Sequence, residues 1–326
     1  MLAQRLAVQF LDAEARAMLT RIDRMVPFTL SMTMVPAAGI SPEAMTGIEA
    51  LLKRGRQALR TSLTRFLAWL GSPQGRTAAP AQAQQRFTIL RLRFHIVIAE
   101  FDLFADVLVQ RSQHAMGVWI AGLDDLAADA LKVPGQVVVA PPMICYLDRG
   151  IGAAIRRART RLPGGDASPV AIIRVPRERM IGQGIGSSLV HEVGHQAAAL
   201  FDILPPLRKA LLDRQRREAD PARRAAWLCW EKWCSEIVSD FWSVAYLGTS
   251  ATVGLIGVVS LPRVFVFRVE PSDPHPFAYI RVLTSAALGG TLYPHPQWAA
   301  IASMWEAMYP TAGLRPEVSL LIASLK

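Results

Sequence analysis

Cysteine is scarce in this chain: Cys145, Cys229 and Cys234 are all it has in 326 residues. Three scattered thiols exclude a disulfide framework and point to a reducing, cytoplasmic compartment. The opening residues, MLAQRLAVQFLDAEARAML, lack an unbroken apolar run and a small-residue cleavage site, because Asp12 and Glu14 interrupt the pattern. They do not read as a secretory signal. No internal repeat is visible. Gly182, Gly184 and Gly186 lack the spacing of a dinucleotide-binding turn, and no strand runs directly into them. They read as a loose lead into the next helix. Nucleic-acid motifs are also missing, although the net charge is +10. The basic clusters, at Arg156, Arg157, Arg159 and Arg161 and again from Arg208 to Arg224, read as solvated helix faces. The second is interleaved with Asp213, Glu218 and Asp220. A nucleic-acid partner is therefore not expected. Charge itself is absent from Phe241 to Pro262, a stretch long enough to cross a bilayer. It contains Gly248, Gly254 and Gly257 and ends at a proline, so we read it as buried core in preference to a membrane span, with membrane association kept as the less favoured alternative.

What the chain does have is core material: 52% of its residues are apolar and 19% charged, a globular composition. Residues 1–25 read as an amphipathic helix, followed by a loop with Pro27 and Pro36. Ser41-Pro42-Glu43 is a helix start. Met45, Ile48, Leu52, Leu59, Leu63, Phe66 and Leu70 then recur at three- and four-residue steps, broken only at Gly55, until Gly71-Ser72-Pro73 stops the stripe. The stretch to about Gln85, rich in Ala, Gln and Pro, reads as a linker. Further helices are expected near 86–112 and 115–132, so residues 1–132 read as a helical accessory domain. His95 and His114, without ligand partners nearby, read as packing or surface residues.

The character changes at Val133-Pro134-Gly135. Residues 136–140 form a short β-branched run, Ala153 to Arg161 looks helical, and Val170 to Val175 is a strand. This strand is expected to be an edge that could pair with an extended peptide.

The chemistry starts at His191-Glu192-Val193-Gly194-His195. This is HExxH: two imidazoles four apart on one helix face can reach one ion, and Glu192 beside them is placed as a general base. A catalytic zinc needs a third protein ligand from another element. The charged helix expected over 206–219 is followed by a second, started by Asp220-Pro221, which carries Trp227, Trp230, Trp233, Glu236, Ile237, Asp240 and Phe241. Glu236 and Asp240 share one greasy face. Glu236 is the candidate third ligand, and Asp240 the candidate acceptor for the free N–H of a ligating histidine. Cys229 and Cys234 read as buried thiols.

HExxH, a later ExxxD, and His275-Pro276 followed by Arg281 (HPxxxxR) together resemble the gluzincin metallopeptidases, and in particular the HtpX-like and CAAX-prenyl-protease family. The resemblance covers roughly residues 185–285 and is confined to motifs. Ser239 stands where that family has alanine, and the N-terminal half has no counterpart in it. The resemblance implies a zinc endopeptidase with His191, His195 and Glu236 as ligands, Glu192 as base, and His275 or Arg281 stabilising the oxyanion or ordering the site. The residues themselves leave His275, Tyr279 and Arg281 open as candidate donors to that oxyanion. The expected fold is mainly α (α+β): the helical bundle over 1–132, then a zincin-like metallopeptidase domain with a small β-sheet over 133–326. The expected function is peptide hydrolysis with one Zn²⁺ ion and a peptide or protein substrate. The alternative is a zinc-binding scaffold or docking protein without catalysis.

Overall fold

Four helices of this chain start with a capping side chain followed by proline. Ser41 Oγ accepts the Ala44 N–H at 3.1 Å, Ser72 Oγ the Gly75 N–H at 3.1 Å, Asp220 Oδ1 the Ala222 N–H at 2.9 Å, and His295 Nδ1 the Gln297 N–H at 3.2 Å. Each cap satisfies a donor that the helix itself leaves open, and the proline that follows has no N–H to lose. The computed structural model describes residues 2–325 apart from positions 136–137, 151, 163–164, 178–183 and 271, and the side chain of residue 185. The fold is mainly α with one small sheet.

Two compact units divide the chain. The first comprises residues 1–122 and 157–171. It holds α1 (Leu2–Asp23), α2 (Phe28–Ser31), α3 (Pro42–Gly71), α4 (Pro73–Thr77) and α5 (Pro80–Val109); α6 (His114–Ala130) runs across the sequence boundary. α1, α3 and α5 pack on one another around Leu11, Ile22, Leu63, Phe66 and Phe87, all nearly inaccessible to solvent. The apolar stripe read along 45–70 is the inward face of α3.

The second unit comprises residues 123–156 and 172–326. Its sheet is formed by β1 (Met143–Asp148), β2 (Ala154–Arg156) and β3 (Ala171–Pro176), in the order β1-β3-β2. β2 runs antiparallel to β3, with Ile155 opposite Ile173. The helices are α7 (Gly184–Leu200), α8 (Leu204–Arg217), α9 (Pro221–Leu247), α10 (Thr249–Val259), α11 (Arg263–Val266), α12 (Ala278–Leu292), α13 (Pro296–Met308) and α14 (Pro316–Ala323). α9 packs on α7, α8, α10, α12 and α14, with Trp230, Trp233, Phe277, Trp298 and Trp305 among the residues of the core. The uncharged stretch 241–262 is the end of α9, a turn at Gly248, and α10. At φ 58°, ψ −137° Gly248 occupies backbone space that side chains disfavour. Among the described residues no helix is long and apolar enough to cross a membrane.

The structure departs from the sequence reading at several places. The stretch read as a linker is helical: α4 starts at Pro73 and α5 at Pro80. Ala and Gln are good helix formers, and Ser72 supplies a cap, so a composition that suggests a spacer is equally that of a helix. The helix expected over 153–161 is instead β2 at 154–156, where Ile155 finds a β-branched partner across the ladder. The run at 136–140 lies partly outside the described residues, 138–140 have no regular structure, and the strand falls at β1. Most consequentially, β3 is the central strand and not an edge. Its run of Ala171, Ile172, Ile173 and Val175 is buried on successive, oppositely pointing positions, so both faces of the strand are covered. The edges are β1 and β2. Of the three spaced glycines, Gly182 lies outside the described residues, while Gly184 and Gly186 belong to the first turn of α7.

Candidate metal centre

α7 supplies His191, Glu192 and His195. Leu189, Val190, Val193, Ala197 and Ala198 bury this helix, and Gly194 sets how closely it approaches α9. A Cβ at Gly194 would fall 2.7 Å from the Ser239 Cα and 3.0 Å from its carbonyl oxygen, so only glycine lets the two backbones meet there. That approach brings Glu236 of α9 against the two histidines. His191 Nε2 lies 3.2 Å from Glu236 Oε2, and His195 Nε2 lies 3.4 Å from Glu236 Oε1. The rings stand nearly perpendicular, 5.0 Å between centroids. One ligand atom from each of the three residues falls within 4.8 Å of the others.

The buried Glu236 Oε2 has no hydrogen-bond partner among the described residues. The Nε2 atoms of His191 and His275 approach it at 3.2 and 3.3 Å, but without hydrogen-bond geometry. A buried carboxylate oxygen left in this way is open to a further positively polarised partner. Two imidazole nitrogens and a carboxylate are a set of donors that could hold a metal ion.

The remaining ring nitrogens are held from behind. His191 Nδ1 is 2.8 Å from Asp240 Oδ1. Asp240 is in turn gripped by Arg281 of α12, Nε to Oδ2 at 2.7 Å and Nη2 to Oδ1 at 2.8 Å. An ionised carboxylate only accepts, so Nδ1 carries a proton toward Asp240, which leaves Nε2 as the ring atom that could face an ion beside Glu236. His195 Nδ1 has a weaker partner, Ser235 Oγ at 3.4 Å.

The electrostatics follow from this packing. Burial opposes the charged ring of His191, yet Asp240 and Glu236 beside it raise its pKa to about 9. Burial likewise opposes ionisation of Glu236 and Asp240. The two histidines nevertheless pull Glu236 well below the usual carboxylate range, and Arg281 with His191 does the same for Asp240. Glu192 moves the other way: burial raises it, partly offset by His191 and His195.

A cavity of about 190 Å³ opens beside this group, and His191, Glu192, Asp240, His275 and Arg281 are among the residues lining it. His275 is half exposed. Asp273 Oδ1 accepts both its backbone N–H at 2.9 Å and its Nδ1 proton at 2.7 Å, which turns Nε2 toward Glu236. Tyr279 is not brought to the cavity. It is 2% exposed in the aromatic core, its ring centroid 4.8 Å from that of Phe267. Cys145, Cys229 and Cys234 form no disulfide and lie outside the donor group.

Sequence reasoning missed Ser235 and Asp273. The first is an ordinary serine on a helix, marked by nothing in the sequence. The second had a signal in Asp273-Pro274-His275, since an aspartate readily accepts from the backbone two residues on. No protein-family model matches this chain, and no curated protein or solved structure matches it.

Proposed function

We propose that this chain is a zinc-dependent peptidase of gluzincin type, with His191, His195 and Glu236 holding the ion and Glu192 as general base. The observation that carries the reading is the unsatisfied, buried Glu236 oxygen set between two imidazoles, with Glu192 lining the same cavity. Two nitrogens and one oxygen suit zinc by ligand type and leave room for a fourth position, as hydrolytic sites require. A purely structural site would have no use for Glu192. The HExxH, ExxxD and HPxxxxR motifs support the same reading.

Zinc held there would supply Lewis acidity, which makes water a nucleophile near neutral pH. The rest falls to the protein's own groups. Glu192 takes the proton of the attacking water and passes it to the leaving amine. Its burial strengthens it as a base. Asp240, fixed by Arg281, holds His191 in one tautomer and one orientation. His275, oriented by Asp273, presents Nε2 toward the cavity, where an Nε2–H would donate to the oxygen of the scissile carbonyl as negative charge grows on it. β2, in place of β3, offers a strand edge for an extended peptide, and Gly152 and Ala153 just before it line the cavity.

Glu192→Gln tests the reading. Zinc stoichiometry should stay at one per chain while cleavage of a peptide mixture falls by at least about 10²-fold, the usual loss when a general base is removed. Equal cleavage by wild type and variant, or a wild type that binds zinc and cleaves nothing, would overturn it and favour the scaffold alternative.

A further inference from the structure

The apolar stripe of α3 has one gap, at Gly55, and the packing around it gives no reason for a glycine. Gly55 lies within a 30-residue helix, where glycine is the poorest residue after proline. A Cβ there would meet Val97 Cγ2 at 3.7 Å and Glu100 Oε2 at 3.9 Å, both ordinary van der Waals contacts. What the missing side chain leaves open is a groove of about 500 Å³, lined from α3, α5 and Asp166 and belonging to the first unit. Pockets of roughly 300–1,000 Å³ take whole small molecules.

The groove combines apolar walls with charges of both signs. Leu59, Ile96 and Val97 line it, and Leu59 and Val97 are nearly inaccessible to solvent. Glu100, only 4% exposed, lines it beside Gly55. Glu100 also interacts within the protein, and a carboxylate with about four lone-pair sites still has acceptors to offer a ligand. Arg93 lines the groove from the same face of α5, two helical turns before Glu100. Asp166 answers the charge of Arg54 at 3.4 Å, whereas Arg93 meets no carboxylate within 4 Å among the described residues. Two turns separate the backbones of Arg93 and Glu100 by about 10 Å, and three extended residues also span about 10 Å. A plain amine in the groove would leave Arg93 unanswered, and a plain carboxylate would face Glu100. We propose that the groove binds a tripeptide-sized peptide with free termini, its ammonium on Glu100, its carboxylate on Arg93 and its apolar side chains on Leu59, Ile96 and Val97. The inference does not rest on the peptidase reading.

The test titrates the tripeptide Ala-Leu-Ala calorimetrically into the full chain carrying Glu192→Gln, so that no peptide is consumed. Binding should appear with a Kd of about 1 mM or tighter. Acetylating the peptide's amine or amidating its carboxylate removes one charge-assisted hydrogen bond, and each should weaken binding by about tenfold or more. Hexylamine and hexanoate, which carry one charge each, should bind more weakly still. Gly55→Leu fills the groove and should abolish binding. Arg93→Glu reverses an exposed charge without touching the core and should weaken binding by about tenfold or more; it decides should Gly55→Leu fail to fold. Gly55→Ala should melt no lower than the parent protein, and a lower melting temperature would show that the packing needs the glycine and remove the premise. Equal binding by the parent and by folded Gly55→Leu or Arg93→Glu would place the peptide elsewhere on the chain and overturn the proposal. So would hexylamine or the acetylated peptide binding as tightly as Ala-Leu-Ala, or no binding by the parent at about 10 mM peptide.

Discussion

Arg281 holds both oxygens of Asp240, at 2.7 and 2.8 Å, and Asp240 holds His191 at 2.8 Å. One carboxylate therefore ties α12 and α7 to the helix that carries Glu236. The pair is buried, and a buried ion pair adds little net stability because desolvation offsets attraction. Its contribution is orientation: His191 has one tautomer and one ring plane available to it.

Replacing Asp240 with Asn should therefore be costly in two measurable ways. Arg281 would lose its directly paired carboxylate and keep a buried charge, at about 3–5 kcal/mol, which urea unfolding would show. His191 would lose the partner that fixes it, and zinc affinity, read by competition with a chromogenic chelator, should fall about 10- to 100-fold. Affinity equal to wild type in a folded Asp240→Asn protein would show that the carboxylate does not orient the ring.

The two histidines should not be equally sensitive. Ser235 Oγ sits 3.4 Å from His195 Nδ1 and is neutral, so Ser235→Ala removes an interaction worth about 1 kcal/mol or less. Zinc affinity should fall no more than several-fold in the same competition titration. A loss as large as that of Asp240→Asn would contradict the asymmetry.

Gly194→Ala tests the close approach of α7 to α9. The new methyl would meet the Ser239 backbone at 2.7 Å, which no side-chain rotation relieves. The helices must separate, at about 1–3 kcal/mol by the usual cost of overpacking, and the separation acts directly on the distance from the histidines to Glu236. Both the melting temperature and zinc affinity should drop, whereas the same change at Gly122, where a Cβ meets nothing within 4 Å, should leave zinc affinity unchanged.

What the sequence could and could not show follows from the range of the forces involved. His191 with His195, and Glu236 with Asp240, are each one helical turn apart, so local geometry alone puts each pair on one face. The helix starts at Ser41, Ser72 and Asp220 are equally local. Failures occurred where partners are distant. Whether Val170 to Val175 is an edge or a centre depends on β1 and β2 lying on either side of it. Ala154–Arg156 is a strand because Ile173 is across from Ile155, which no window around 155 contains. Asp273 escaped attention because its importance depends on where His275 points. Tyr279 was a candidate only through its nearness to His275 and Arg281 in sequence; the helix turns it into the core instead.

Metal removal offers a last prediction, with a built-in reporter. Of eight tryptophans, Trp69 and Trp119 fall in the first unit, leaving six in the second, where the donor group lies. Thermal unfolding followed by tryptophan fluorescence therefore reports mainly on the second unit. A ligand that binds only the folded state stabilises it by about 2.7 kcal/mol when its free concentration is 100 times Kd. Stripping the ion with a chelator should lower that transition by several degrees, and the buried Glu236 Oε2, without a hydrogen-bond partner among the described residues, adds to the effect. Returning zinc should restore the transition. Magnesium should not, because it prefers an all-oxygen octahedral shell to two imidazoles. Glu236→Gln should lose most of its response to both chelator and zinc, since one of the three proposed ligands is gone. A fluorescence transition that ignores the chelator in the wild type, or one that magnesium restores as well as zinc, would contradict a nitrogen-rich metal site at His191 and His195.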